Sequence, residues 1–553
     1  MGDITRRKYF GYANLWAVLP FVLLVPSLVW IWQDHSIWWS DKAEYARNTI
    51  TLYNELIHHR LGWFSSMLSA TPKKAPGIVW FGQFFVVLHK LFGSVERALL
   101  FYVLLTQGLT VWIIYDTWRR LSGAREVVGT ACALFAAGAP LFVGLSHQFL
   151  AEPLQLLVIA WLWRLAVASP DISRYDLVIM EGIALTLGMV AKTSTPLYAA
   201  PPIVIAALGS AGLLRPRPEC PRSLRPFTRI FLLVSLTLGM VMVAAWYVRN
   251  FRSWFGHIVA SSSSEMAAFW GSTDPFVTKF WRWLDAFRLS FLPGLMLYVV
   301  TAALAFGLWR AFRSRRHEIF SVVLALGGLV SVGVTIVLFS LARNEETRYL
   351  VSLLPAVAAI LAWGIGRAGR SLALIFTLFA LGSGLAVQGA ALGVLSYSPK
   401  YSVWVRNTPF LNLTPSSELA ALVKYINDHE TESRNHLCAV EYGWLDHDVL
   451  SFYDSKERLR NRLSGPKPYF WCLYCADDLD NAMDFVKKVK PGFIISVREE
   501  LQPPPNFFNR MNLPFLARIR TDPHYEQVEF PSQKGVILFK RRKDINRNPG
   551  ANL

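Results

Sequence analysis

The sequence predicts a polytopic α-helical membrane protein of about eleven spans, followed by a small α/β domain outside the membrane. Three observations carry that prediction. Apolar residues make up 53% of the 553-residue chain and charged residues only 17%, with mean hydropathy +0.33, more apolar surface than a soluble fold of this length buries. The apolar residues fall in runs near the ~20 residues that cross a bilayer as a helix. Lys and Arg, which give a formal net charge of +18, sit in short clusters between those runs, the pattern of cytoplasmic loops rather than of a nucleic-acid-binding surface. Partners of opposite sign are therefore membrane lipids and phosphate-bearing lipids, with no nucleic acid expected.

The chain starts with Arg6, Arg7 and Lys8 and runs apolar from Leu15 to Trp32 with no small-residue cleavage site before Asp34, so span one (about 12–33) is expected to stay uncleaved. Arg119-Arg120 closes the next run, 97–118. Between them, 77–93 is apolar but short and carries Gln83, His89 and Lys90. A crossing there would put every later basic cluster on the wrong side, which assigns 77–93 to an interfacial helix within a large first external loop, 34–96. Further spans are expected at about 126–146, 150–168, 176–193, 195–213, 229–248, 288–310, 318–341, 349–366 and 371–395. The clusters Arg119-Arg120-Arg125, Arg164 with Arg174, Arg215 to Arg229, Arg310 to Arg316 and Arg367 with Arg370 then all face the cytoplasm. The N-terminus is inside and the C-terminus outside. No internal repeat of the kind transporters carry stands out.

The membrane domain, 1–395, gives way to a segment where charge returns and long apolar runs end. Ser416–His429 and Leu479–Val489 have helical periodicity, and His436–Tyr442, Gly492–Val497 and Gly535–Lys540 are short β-type runs, so 396–553 is an extracytoplasmic α/β domain. Five cysteines in this length make no disulfide framework. Cys472 and Cys475 lie in a strand-like stretch, where positions three apart face opposite ways and would need a turn to pair; they are taken as structural.

Asp41 and Glu44 begin where span one ends and lie i,i+3 on one helical face, either as a solvated juxtamembrane turn or as the wall of a polar cavity. Lys73-Lys74, His147 with Glu152, Lys192 and the loop Arg343 to Tyr349 fall at the same membrane surface. Several ionisable groups on one side of a bilayer argue for such a cavity, because each is costly there unless paired or functional. Carboxylates that accept a proton and cations that stabilise developing phosphate charge are what a phosphate-linked leaving group needs. Taken singly, His147 reads as a loop histidine, and Lys192 as a snorkelling cation or a ligand. The first-loop residues Trp63, Phe64, Trp80 and Phe81 read as interfacial anchors before a cover over a sugar. No His/Cys cluster has metal-ligand spacing, and no metal or cofactor is expected.

The motifs Asp41-Lys-Ala-Glu-Tyr-Ala, Lys74-Ala-Pro76, Lys90-Leu-Phe-Gly93, Ala151-Glu152-Pro-Leu154, Ala191-Lys192-Thr193, Trp246-Tyr247-Val-Arg249-Asn250 and Arg348-Tyr349-Leu350 with Pro355 occur in this order. Together they resemble the GT-C membrane glycosyltransferases, in the branch of protein O-mannosyltransferases and aminoarabinose transferases. The resemblance spans about 15–366 and fades in the C-terminal domain. It implies a polyprenyl-phosphate-linked sugar donor and a lipid, glycan or protein acceptor on the non-cytoplasmic face. The family's first-loop acid maps onto Asp41, as general base or acceptor-orienting group, and its second acid onto Glu152. Lys74, Lys192 and Arg348 match positions that hold the lipid phosphate, with Tyr349 and Arg249 in the same motifs. Where the family often has Asp-Glu, this chain has Asp41-Lys42, so a paired-acid role there would fall to Glu44.

The expected function is therefore a glycosyltransferase of the cell membrane. A transporter or flippase of a lipid-linked glycan is the alternative, and predicts charged groups on both faces with pseudo-repeats. A receptor or scaffold would have no need of acids at the membrane edge.

Overall fold

A computed structural model describes residues 15–38, 40–121, 125–216, 218–292, 294–313, 319–395, 417–429, 433–461, 467–476, 478–532 and 534–542. Arg6, Arg7, Lys8, Arg315, Arg316 and Ser416 of the sequence reading lie outside them. The chain forms two compact units, one of Met1–Asp34 with Glu55–Asn412 and the other of His35–Asn54 with Leu413–Leu553. A piece of the first loop thus belongs to the second unit, which a single boundary near residue 395 does not capture.

Among the described residues of the first unit, seven helices are long and apolar enough to cross a bilayer: Leu15–Gln33, Val95–Trp118, Glu152–Asp171, Pro226–Arg249, Ile319–Leu341, Thr347–Ala368 and Arg370–Ala391. Two bent pairs raise the number to nine. Glu126–Gly138 and Pro140–Ser146 meet at 62°, where Gly138 weakens the helix and Pro140 has no N–H to continue it. Phe276–Phe291 and Leu295–Arg310 meet at 94°. The expected span at 288–310 falls across this bend, and the helix before the bend carries Arg282, Asp285 and Arg288 and is amphipathic. The expected spans 176–193 and 195–213 coincide with Arg174–Ala191, which carries Asp176 and Glu181, and with the 16-residue Thr195–Ser210. The first is too charged and the second too short to qualify alone.

The expected single helix over 77–93 is broken into Gly77–Gly82, a 3-10 turn Val86–Leu88 and His89–Phe92. Gly82 and the β-branched Val86-Val87 pair continue a helix poorly. Gln83 fills the break, its amide donating to the Trp80 carbonyl and accepting from Trp63 Nε1, both at 2.8 Å. Elsewhere the first loop is helical, in Asp41–His58 and Arg60–Ser69, as is the segment after Arg249, in Phe251–Ser263 and Glu265–Phe269.

At the other ends of these helices two carboxylates gather cations. Asp116 holds Arg119 at 2.8 Å, Arg120 at 3.0 Å and Arg164 at 2.7 Å, and buried Asp176 holds Arg229 and the Leu224 N–H, each at 2.8 Å. Small residues let helices approach closely. A Cβ on Gly138 would lie 2.7 Å from Gly384 Cα, and one on Gly77 would lie 2.6 Å from the Val190 carbonyl oxygen and 3.0 Å from Ala191 N.

The second unit is a five-stranded mixed sheet in the order β2-β1-β3-β5-β4, with β1 Asn435–Cys438, β2 Tyr469–Cys472, β3 Phe493–Val497, β4 Tyr525–Val528 and β5 Val536–Arg541. β1 runs parallel to β2 and β3, and β5 antiparallel to β3 and β4. The parallel connections run through the helices His447–Asn461 and Leu479–Val489, as such crossovers require. β3 is buried along its whole length. Leu437, Ile494 and Phe539 face Met483, Val486, Phe515 and Ile519 on one side. On the other, His436 lies between the rings of Phe470 and Phe493, and burial lowers its pKa to about 4. The strand β2 ends at Cys472 and a 3-10 turn Leu473–Cys475 follows; Cys472 is disulfide-bonded. The helices expected at 416–429 and 479–489 are present as Ser417–Asp428 and Leu479–Val489.

We expect Gly77→Ala to destabilise the protein by about 1–3 kcal/mol, since the obstructing atom is backbone and cannot rotate away. The unfolding temperature of the purified variant checks this; an unchanged value would mean that the start of Gly77–Gly82 is not pressed against the helix end.

Candidate active site

The site is assembled from the ends of three helical segments in the first unit. Glu152 opens the helix Glu152–Ala168, with Pro153 pre-set for a first-turn position, and its carboxylate is 3% exposed. Lys192 follows the last residue of Arg174–Ala191 in extended backbone, its own N–H still bonded to the Gly188 carbonyl. Arg348 lies in the 3-10 segment Thr347–Leu353 that leads into Leu354–Ala368.

These three elements bring charge together. Lys192 Nζ donates to Glu152 Oε1 at 2.5 Å, and Arg348 Nε lies 3.3 Å from the same oxygen and 2.5 Å from Glu346 Oε2. The Arg348 Nε contacts are ion pairs by distance rather than aligned hydrogen bonds. The ammonium of Lys192 also sits 3.9 Å from the centre of the Tyr349 ring, and the Arg348 guanidinium 5.7 Å from it. Two carboxylates thus balance two cations around one aromatic face, which makes a nearly buried charge cluster tolerable. Tyr198 OH donates to the Tyr349 carbonyl at 2.7 Å and fixes that peptide. The neighbouring Glu345 faces elsewhere, to Arg282 at 2.6 Å and Ser272 at 2.7 Å.

Glu152, Lys192, Arg348 and Tyr349 are therefore brought together. Lys74 lies in the turn before the helix Gly77–Gly82, whose Gly77 presses on the end of the Lys192 helix, and its N–H bonds the Thr71 carbonyl at 3.0 Å. In the motif from Trp246 to Asn250, Trp246 Nε1 bonds the Ala70 carbonyl at 3.2 Å, Tyr247 OH the Met189 carbonyl at 2.9 Å and Asn250 Nδ2 the Leu68 carbonyl at 2.9 Å. These three brace the segment before Lys74 and the end of the Lys192 helix. Arg249 itself is exposed at its helix end. His147 lies in the turn after Ser146, as expected of a loop histidine, but it is 1% exposed, stacked 4.1 Å from Trp30, with Nε2 3.3 Å from Ser27 Oγ. Trp80 is buried and bonded to the Met67 carbonyl at 2.9 Å, a structural post rather than an interfacial anchor, whereas Phe64 is exposed.

Asp41 and Glu44 form the first turn of Asp41–His58 and fall in the second unit. Farther along, Arg47 pairs with Asp448 at 3.2 Å, Thr51 accepts from Lys467 at 3.1 Å, and Trp38 stacks on Phe452. The sequence reading missed the cluster beneath them. Asp446 caps the Val449 N–H at 2.7 Å and accepts from Ser40 N at 3.4 Å, and His447 lies 3.1 Å from Glu441 and 3.6 Å from Asp448. Glu441, Asp446 and His447 place their ligating atoms within 4.8 Å of one another, a donor set of the kind a divalent cation takes. Each member already serves the fold as cap or counter-charge. Burial alone would lower the His447 pKa, but the charge of Asp448 and the bond to Glu441 outweigh it and push it up to about 9. Burial and the charges of Glu441 and Asp448 push Asp446 up to about 7.

Residues 73–247 match the family model described as dolichyl-phosphate-mannose-protein mannosyltransferase. Among solved structures, the chain is similar to ArnT from Cupriavidus metallidurans in the apo state, with TM-score 0.56 and 15% identity over 96% of this chain and 98% of that one. The same protein bound to undecaprenyl phosphate gives 0.54 and 16% over the same shares. Arabinofuranosyltransferase AftD from Mycobacteria gives 0.51 and 13%, covering 96% of this chain and 40% of that one. At these identities the likeness is one of fold. Sequence comparison with curated proteins finds no match.

A histidine with a raised native pKa stabilises fully below its unfolded value of about 6.5, and that contribution is lost as pH rises through about 9. Asp446, raised from an ordinary value near 4, loses its contribution between there and about 7, so both terms fall with rising pH. Hydrogen exchange in the helix His447–Asn461 of the full chain, corrected for intrinsic rate, should show easier opening at pH 9 than at pH 6. His447→Gln should flatten that upper limb; an unflattened limb would remove the imidazolium from the account.

Proposed function

We propose that this protein, which has the fold of the GT-C membrane glycosyltransferases, is an integral-membrane enzyme moving a sugar from a polyprenyl-phosphate donor to an acceptor on the non-cytoplasmic face. The observation that carries the proposal is the Glu152–Lys192–Arg348 cluster, two nearly buried cations preassembled at the end of a span. The undecaprenyl phosphate bound by the similar ArnT is a ligand of the matching chemistry.

A donor phosphodiester carries one negative charge, and the departing polyprenyl phosphate gains a second as the bond from sugar C1 to the phosphate oxygen breaks. Lys192 and Arg348 therefore hold the leaving group more strongly than the donor, which lowers the barrier rather than merely tightening binding. The acceptor oxygen forms the new bond to C1 and gives up its proton to a base. On the family motif, that base is Asp41, with Glu44 as the accompanying acid. Glu152 has its charge committed to two cations, so its role is to hold them ready before the phosphate arrives. Lys74 and Tyr349 complete the phosphate seat, and Arg249 is included on its motif alone.

The opposite helix ends support the orientation read from the basic clusters. Arg164 lies in the same helix as Glu152, about 18 Å along it, and joins Arg119 and Arg120 on Asp116. Basic clusters of this kind favour the cytoplasm. The N-terminus is then cytoplasmic, and the site and the C-terminal domain are extracytoplasmic.

Purified protein given a radiolabelled polyprenyl-phosphate sugar should release labelled product on an acceptor; movement of the lipid across the bilayer without transfer would replace the enzyme with a flippase. Asp41→Asn should lower turnover by about 10²-fold or more while leaving donor binding within about twofold. Arg348→Ala should weaken binding of a polyprenyl-phosphate analogue by roughly tenfold or more, and Arg348→Lys should restore only part, because an ammonium lacks the planar two-pronged contact. Full affinity in Arg348→Ala would shift the phosphate seat to Lys74 and Lys192.

A further inference from the structure

Gln155 lies one helical turn beyond Glu152, on the same face and fully buried. Its amide nitrogen donates to Ser194 Oγ at 3.1 Å and Thr195 Oγ1 at 3.2 Å, and its oxygen accepts from Ser352 Oγ at 3.0 Å. The orientation of the amide is fixed by chemistry, because Thr195 spends its own proton on the Gly188 carbonyl at 2.7 Å and can only accept from Gln155. Ser194 and Thr195 stand two and three residues after Lys192, and Ser352 four residues after Arg348. One side chain thus joins the segment carrying Glu152 to the segments carrying each of the two cations.

We propose that Gln155 is the positioning residue of this site: it sets the spacing between Lys192 and Arg348, and with it the width of the seat for a polyprenyl phosphate. The assignment rests on the glycosyltransferase reading. Hydrogen bonds across helices in a bilayer add only modestly to adhesion beside close van der Waals packing, so adhesion is the smaller part of what a buried amide satisfied on three sides supplies. What it supplies is registry, since each bond holds only while the segments keep one rotation and one height relative to one another. Glu152 attracts both cations but cannot fix their separation, because an ion pair tolerates a range of geometries that an amide with three partners does not.

The test uses full-length protein in lipid nanodiscs and undecaprenyl phosphate as probe, with unfolding temperature and steady-state kinetics measured on the same samples. Gln155→Leu keeps the volume and removes all three bonds. It should fold, bind the probe about tenfold more weakly and raise KM for the lipid donor, while KM for the acceptor stays put, as expected for misplacement by a fraction of an ångström. Ser352→Ala, which cuts one arm, should lose less, and Ser352→Thr, which keeps the hydroxyl, should behave as the parent does. Probe affinity within twofold of the parent in folded Gln155→Leu would overturn the proposal. If Gln155→Leu does not fold, Ser352→Ala and Ser194→Ala decide in its place, and parent-like affinity in both would overturn it equally. A parent protein that binds no undecaprenyl phosphate would overturn the glycosyltransferase reading itself, and this inference with it.

Discussion

An ionised group near the edge of a bilayer has to be neutralised by a neighbour, and Glu152 is where that constraint acts on this protein. Its carboxylate is almost fully buried and touches both Lys192 and Arg348. Removing any one of the three would leave the others with uncompensated charge in a poorly solvated place. The constraint reaches outward through the backbone. Lys192 can meet Glu152 because its helix stops one residue earlier, and Arg348 because a 3-10 segment precedes its span. Around them, Tyr198, Gln155 and Tyr247 spend their polar atoms on backbone carbonyls or hydroxyls of those same segments, while Trp246 and Asn250 brace the segment before Lys74.

The second unit applies the same rule. Three carboxylates, Glu441, Asp446 and Asp448, gather at the start of the helix His447–Asn461, where the helix dipole and an imidazolium offset them. Arg47 adds a further cation, from the stretch of the first loop that belongs to this unit. The chain that emerges from the first span is thus built into the sheet domain by an ion pair, a ring stack between Trp38 and Phe452 and a backbone bond from Ser40 to Asp446.

Much of this was legible in the sequence, for reasons that differ from element to element. Helices such as Val95–Trp118 and Ile319–Leu341 are long and uniformly apolar, so composition alone identifies them. Leu479–Val489 was legible because its apolar residues repeat with helical period and Asp478 caps it. The break within 77–93 was not, since it depends on Gln83 finding Trp63, twenty residues upstream in the chain. The helix His447–Asn461 escaped notice because its sequence is mostly polar and its buried residues Val449, Leu450 and Phe452 face a sheet that periodicity cannot see.

The sequence by itself determined that the chain is a membrane protein with a small α/β domain, and which ionisable residues deserved suspicion, because hydropathy and charge are properties of the residues and need no partner. Tertiary structure decided which of them meet. Arg249 and Lys192 are both cations at helix ends, yet one is exposed and the other lies on Glu152 and Tyr349. Glu345 and Glu346 are neighbours in the chain, yet one serves Arg282 and the other Arg348. Gln155 had no distinguishing mark beyond its place one turn from Glu152. Distances between residues far apart in the chain are fixed by the packing of whole helices, which local spacing does not encode.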